Sequence, residues 1–175
     1  VRVSGDMVTV SLDGKQVLDY TDDSRLTSGH ISLQHNAGRI EFKNIRLRPL
    51  ESQTLKLGAD WEDDWTQSKK EDAEFKVESI ADGLKVTGGS GQVQSRGEWS
   101  DFILQASYRL AKPEVNSGIF FRCLRTGMLD GYECQLNHAI EGDDPLRPKD
   151  AGAGAIFRRQ PARMVMGDGT KSTHV

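Results

Sequence analysis

Apolar and polar residues alternate with a period of two through most of this chain, a pattern that selects β-strands and leaves little room for helices. Met7–Leu12 alternates, Asp13-Gly14 supplies a two-residue turn that tolerates positive φ, and Lys15 to Tyr20 returns as the second arm of a hairpin. The same pattern predicts strands at His30–His35 and Arg39–Arg48, around the turn Asn36-Ala37-Gly38. In the second, Ile40, Phe42, Ile45 and Leu47 carry the apolar positions, and the step of three from Phe42 to Ile45 predicts a bulge near Lys43-Asn44. Further strands are expected at Leu84–Thr87, Gly91–Ser95, Asp101–Leu110, Ser117–Arg125, Gly131–Asn137 and Ala153–Arg159. The acidic stretch Asp60–Asp72, with Trp61 and Trp65 four apart, reads either as one or two amphipathic turns or as an irregular loop. Turn-rich segments between short strands indicate an all-β, antiparallel sandwich or barrel.

A chain of 175 residues is of single-domain size and long enough to bury a real core. Its net charge of −3 and pI of 5.8 argue against nucleic acid as a partner, and no apolar run reaches the length of a membrane helix. The character of the sequence breaks at Pro49 to Gly58, which separates a block at 1–50 from a block at 57–175. Both chain ends look like cuts inside folded sequence, since alternation starts at once after Val1 and no tail signal precedes Val175.

Three motifs follow one another in the second block: Asn116-Ser117-Gly118-Ile119-Phe120-Phe121-Arg122, Gly131-Tyr132-Glu133-Cys134-Gln135 and Gly152-Ala153-Gly154-Ala155-Ile156-Phe157. With Gly88-Gly89-Ser90-Gly91-Gln92 and Asp101-Phe102 before them, they resemble the 3-keto-disaccharide hydrolase domain family, and the likeness covers essentially all of 57–175. Leu12-Asp13-Gly14-Lys15-Gln16-Val17-Leu18-Asp19-Tyr20, Gly29–Gln34 and Glu41–Leu47 resemble the closing strands of the same family, so the match is out of order. The expected arrangement is the tail of one tandem copy (1–50) followed by the front of the next (57–175), with the first set of strands completing the sandwich in permuted order. The resemblance implies a concanavalin-like jelly roll and cleavage of 3-keto-glycosides, with an exported parent, periplasmic or cell-surface, as the expected setting. Ser107 stands where the family would lead one to expect an acid in its strand.

Alternation places Phe120, Arg122 and Leu124 on one face of their strand, with Ile119, Phe121 and Cys123 on the other. On the next strand Glu133, Gln135 and Asn137 share a polar face, opposite Tyr132, Cys134 and Leu136. Strand pairing would then gather Arg122, Glu133 and Gln135 on one concave surface, against the alternative of an ordinary solvated Arg–Glu face. The candidate catalytic residues are Glu133 or His138 as base and Arg122, or a bound divalent cation, as stabiliser of the developing oxyanion. Gln135, Asn116, Asn137 and Trp99 are the candidate sugar-binding residues. His138 with Glu141, Asp143, Asp144 and Asp150 forms a candidate cation set, although no HExxH, CxxC or EF-hand pattern is present. The run Arg158-Arg159-Gln160-Pro161-Ala162-Arg163 reads as a solvated loop or a clamp for an acidic partner, and Cys123 and Cys134 read as buried thiols facing the core together. The contrasting function is a non-catalytic carbohydrate-binding sandwich, for which an exposed aromatic such as Trp99 would be the mark.

Overall fold

The computed structural model describes residues 1–23, 28–48, 53–124 and 127–175. In chain order the first strands are β1 (Arg2–Ser4), β2 (Met7–Leu12), β3 (Lys15–Thr21), β4 (His30–His35), β5 (Arg39–Arg48) and β6 (Gln53–Thr54). After a single 3-10 turn at Trp61–Asp63 come β7 (Trp65–Lys69), β8 (Lys76–Ile80), β9 (Gly83–Thr87), β10 (Gly91–Ser95) and β11 (Phe102–Leu110). The last are β12 (Ser117–Cys123), β13 (Tyr132–Gln135), β14 (Ile140–Glu141), β15 (Asp144–Pro148) and β16 (Thr173–His174). Among these residues no helix is long and apolar enough to cross a membrane.

Two antiparallel sheets form a sandwich. The larger runs β3-β2-β1-β11-β5-β9-β8, with β16 and β6 attached to β11 and β5, and the smaller runs β13-β12-β4-β10-β7. Both sheets mix strands from before and after residues 49–52: β4 sits between β12 and β10, and β5 between β11 and β9. The connector expected at Pro49 to Gly58 lies partly outside the described residues, as does Arg125 at the end of its expected strand. The inner faces supply Val10, Leu12, Phe42, Leu84, Val86 and Leu104 from one side and Ile31, Leu33, Trp65, Val93, Ile119 and Cys134 from the other, all buried. Burial of each large apolar side chain stabilises by roughly 1.5–3 kcal/mol. Phe102 meets Phe121 edge-on across the core, with centroids 6.2 Å apart.

The turn chemistry holds where it was expected. Asp13 and Gly14 take φ of 47° and 77°, and Leu12 pairs with Lys15. Asn44 sits at φ 52° where the register of β5 against β11 shifts, which is the expected bulge and keeps Phe42 and Ile45 both inside. Three readings are corrected. Residues 153–159 form turns, with Ile156 bridging singly to Cys134 and to Gln160, because Gly152, Gly154 and Arg158 adopt φ of 82°, 87° and 59°. The Trp61/Trp65 stretch is the 3-10 turn followed by strand β7, and both indoles are buried. The third concerns β12, where Arg122 takes φ 54° and the register against β4 shifts between Phe120 and Cys123.

Candidate functional site

The outer face of the smaller sheet is built from two rows of side chains crossing all five strands. Direct cross-strand partners point to the same side. One row is therefore Gln135, Gly118, Gln34, Gln92 and Ser68, and the other is Glu133, Phe120, Ser32, Gln94 and Thr66. Such a row would ordinarily be solvated, yet Glu133, Gln135, Ser32, Gln34, Gln92 and Gln94 are all buried. Loops account for part of this. Backbone groups of the β12–β13 loop bond Gln92, with Leu129 N–H donating to Oε1 (2.8 Å) and Nε2 donating to the Gly127 carbonyl (3.3 Å). Gln92 Nε2 also donates to Gln94 Oε1 (3.0 Å), and Gln94 Nε2 reaches the Leu124 carbonyl at 3.5 Å.

On the β4–β12–β13 side the same face is left unsaturated. Among the described residues, Glu133 Oε1 and Gln34 Oε1 are buried without a hydrogen-bond partner. Ser32 Oγ lies beside the Cys123 sulfur and likewise makes no bond of normal geometry. Buried polar atoms are nearly always satisfied, so a cluster of unpartnered ones on one surface makes this face the candidate site. Glu133 lies folded over Gly118: a Cβ there would stand 2.6 Å from Oε1 and 2.8 Å from Cγ. Burial, with the negative charge of Asp150 adding to it and the Arg158 guanidinium opposing it, pushes the Glu133 carboxyl from 4.5 up to about 7. That value is the one wanted for proton transfer at neutral pH.

The other residues singled out from sequence fall into place around Glu133 or away from it. Gln135 shares its face as expected, and its Nε2 donates to Asp150 Oδ2 (3.1 Å) and to the Asp150 carbonyl (3.3 Å). Asn116 Nδ2 donates to the same carboxylate (3.3 Å), so these two amides hold Asp150 beside Glu133. Asp150 and Ala151 both lie at positive φ (49° and 67°), which turns the loop back toward β13. Asn137 is buried and closes a local turn, its Oδ1 accepting from Ala139 N–H (2.8 Å).

Arg122 and His138 do not join Glu133. The left-handed turn at Arg122 sends its side chain to the β1–β2 turn, where Nη2 donates to the Gly5 carbonyl (2.7 Å) and the guanidinium stands 3.9 Å from Asp22 and from Asp101. Tyr132 Oη donates to the buried Asp22 from the other side (2.7 Å). His138 is buried against Tyr108, with Nε2 2.6 Å from its hydroxyl and Nδ1 3.2 Å from the Gly167 carbonyl. Both ring nitrogens are thus occupied, and burial lowers the imidazole pKa. The cation set does not assemble either: among the described residues no three His, Cys, Asp or Glu side chains are placed to hold a metal. Glu141 pairs instead with Arg147, and Asp144 caps Leu146 N–H. Trp99 is half-buried against the core, its ring over Gly97, while Trp61 and Trp65 are buried outright. No tryptophan therefore offers an open stacking platform.

The shift at Arg122 also reverses Cys123. It pairs with His30, which shares a side with Ser32 and Gln34, so Cys123 belongs to the outer polar face while Cys134 lies in the core. Both are free thiols whose pKa burial pushes up to about 12. Sequence reasoning missed Ser32, Gln34, Gln92 and Gln94. Their signal was present in strands correctly placed, where polar side chains alternate with Ile31, Leu33 and Val93. It read Arg158 as part of a solvated loop or an acidic-partner clamp and did not connect it with Glu133, whose carboxyl its charge acts on.

Two cavities, of about 150 Å³ and about 640 Å³, open on the opposite side of the molecule, on the outer face of the larger sheet. They include Lys43, Arg46 and Ser107 but no buried carboxylate. A family model described as the 3-keto-alpha-glucoside-1,2-lyase-like domain matches residues 1–48 and 53–172. No curated protein and no solved structure matches the chain.

Proposed function

Because this chain belongs to the 3-keto-alpha-glucoside-1,2-lyase-like family, we propose that it cleaves 3-keto-glycosides, with Glu133 as the base that takes the proton from C2. The observation that carries this reading is the one buried carboxylate on this face of amides, unpartnered at Oε1 among the described residues and pushed up to about 7. Hydrolysis by two carboxylates needs a second one flanking the scissile bond as acid or nucleophile. Asp150 is tied to Gln135 and Asn116 and tunes Glu133 instead.

A ketone at C3 changes the requirement. It acidifies the C2–H bond, so one base suffices. Glu133 removes the proton, the C–H electron pair forms the C2=C3 bond, and negative charge moves onto the C3 oxygen. As that charge returns to re-form the ketone, C1=C2 forms and the bond from C1 to the glycosidic oxygen breaks. The leaving oxygen takes up the proton held by Glu133, and water then adds across C1=C2. Arg158, whose positive charge already acts on Glu133, takes the part expected of Arg122 in offsetting the charge that develops.

The test is turnover of a methyl 3-keto-alpha-glucoside, followed by NMR for the released methanol and for the unsaturated sugar or its hydration product. Wild type is expected to release both and Glu133→Gln neither. Equal turnover by the two would remove Glu133 from the mechanism, and a folded wild type without turnover would overturn the proposed function.

A further inference from the structure

Four glutamines occupy the outer face of the smaller sheet, and three are committed. Gln92 is held by Leu129, Gly127 and Gln94, Gln94 by Gln92 and Leu124, and Gln135 by Asp150 and by Leu136 N–H. Gln34 is different: its amide oxygen is buried and, among the described residues, unpartnered. It lies directly across from Gly118, the glycine over which the Glu133 carboxylate is folded. Directly opposed positions on neighbouring strands bring Cβ atoms within about 5 Å, so Gln34 stands beside the space over Gly118 that the Glu133 carboxylate fills.

Gln34 Oε1 and Glu133 Oε1 are both acceptors when Glu133 is ionised, and among the described residues no donor serves either. A group that satisfies both must present two hydrogens in different directions from a small volume. A secondary alcohol carbon does this, with its C–H aimed at one acceptor and its O–H at the other.

Resting on the proposed function, we infer that Gln34 is a specificity-determining residue that accepts a hydrogen bond from the C2 hydroxyl while Glu133 takes the C2 proton. The substrate is then restricted to 3-keto sugars that keep a free hydroxyl at C2. A sugar lacking it leaves the amide oxygen buried and unpaired, and sites built to bond a hydroxyl reject analogues without one far more strongly than apolar pockets reject a missing methylene.

The experiment compares kcat/KM for methyl 3-keto-alpha-glucoside and its 2-deoxy analogue in wild type, Gln34→Leu and Gln34→Met, each checked for folding by circular dichroism. Wild type is expected to prefer the 2-hydroxy substrate by at least about 100-fold, and the variants to lose most of that preference by turning over the 2-hydroxy substrate more slowly. A purely structural role for Gln34 would slow both substrates alike and leave the ratio unchanged, which overturns the inference while turnover stands. A wild type that does not distinguish the two substrates overturns it without any variant. If folded wild type turns over neither substrate, the proposed function itself fails, and this inference with it.

Discussion

A single methyl group at position 118 would occupy the space that the Glu133 carboxylate fills. Gly118→Ala is therefore expected to swing that carboxylate away, lowering kcat by on the order of 100-fold, as small misplacements of a reacting group do. Its thermal midpoint should move little, because the clash is with one movable side chain; steady-state kinetics with a melting curve checks both. Glu133 itself carries a stability signature. Its carboxyl ionises near 4.5 when unfolded but near 7 when folded, so stability falls as pH rises across that interval and levels off above it. Above neutral pH Glu133→Gln should be more stable than wild type, by on the order of 3 kcal/mol, and the difference should vanish below about pH 4.5. Denaturant titrations at several pH values would show it. Activity runs the other way, since only the carboxylate accepts a proton: kcat/KM should rise with pH to a plateau beginning near 7.

Strand β12 shows what a pattern of residues can and cannot disclose. Alternation located the strand and correctly put Phe120 on the polar side and Ile119 and Phe121 in the core. It could not show that Arg122 would leave the extended region, because no glycine or asparagine stands there to announce it. Everything beyond that point is out of phase, and a cation expected beside Glu133 becomes a buried clamp on Asp22. Asn44 is the counterexample, since the missing beat in its apolar pattern made its bulge readable. Strands β7 and β8 escaped notice because most of their side chains are exposed or half-exposed and carry no apolar alternation. Glu133 was legible from its face, and Asp150 and Arg158 were not, since loops bring them there. Arg122→Ala should therefore destabilise by about 3–5 kcal/mol, because Asp22 loses the guanidinium facing it in a buried site. Were Arg122 catalytic instead, a variant of undiminished stability would lose turnover.

At the scale of the whole molecule, neither sheet can be assembled from one side of residues 49–52. Strands β4 and β5 are interior members of sheets whose other strands mostly come later, and each inserts between two of them. Without β4, strands β12 and β10 would lose the partner that joins them, and exposed edges of that kind promote aggregation. A chain split between residues 48 and 53 and co-expressed as two pieces should reassemble into one folded particle, while the second piece alone should aggregate. Size-exclusion chromatography distinguishes these outcomes. The two thiols lie on opposite sides of one sheet, Cys134 inward and Cys123 outward. No bond between them can form without inverting a strand, so the protein draws no strength from oxidation and loses none to a reductant: its stability should be indifferent to whether the surroundings are oxidising or reducing.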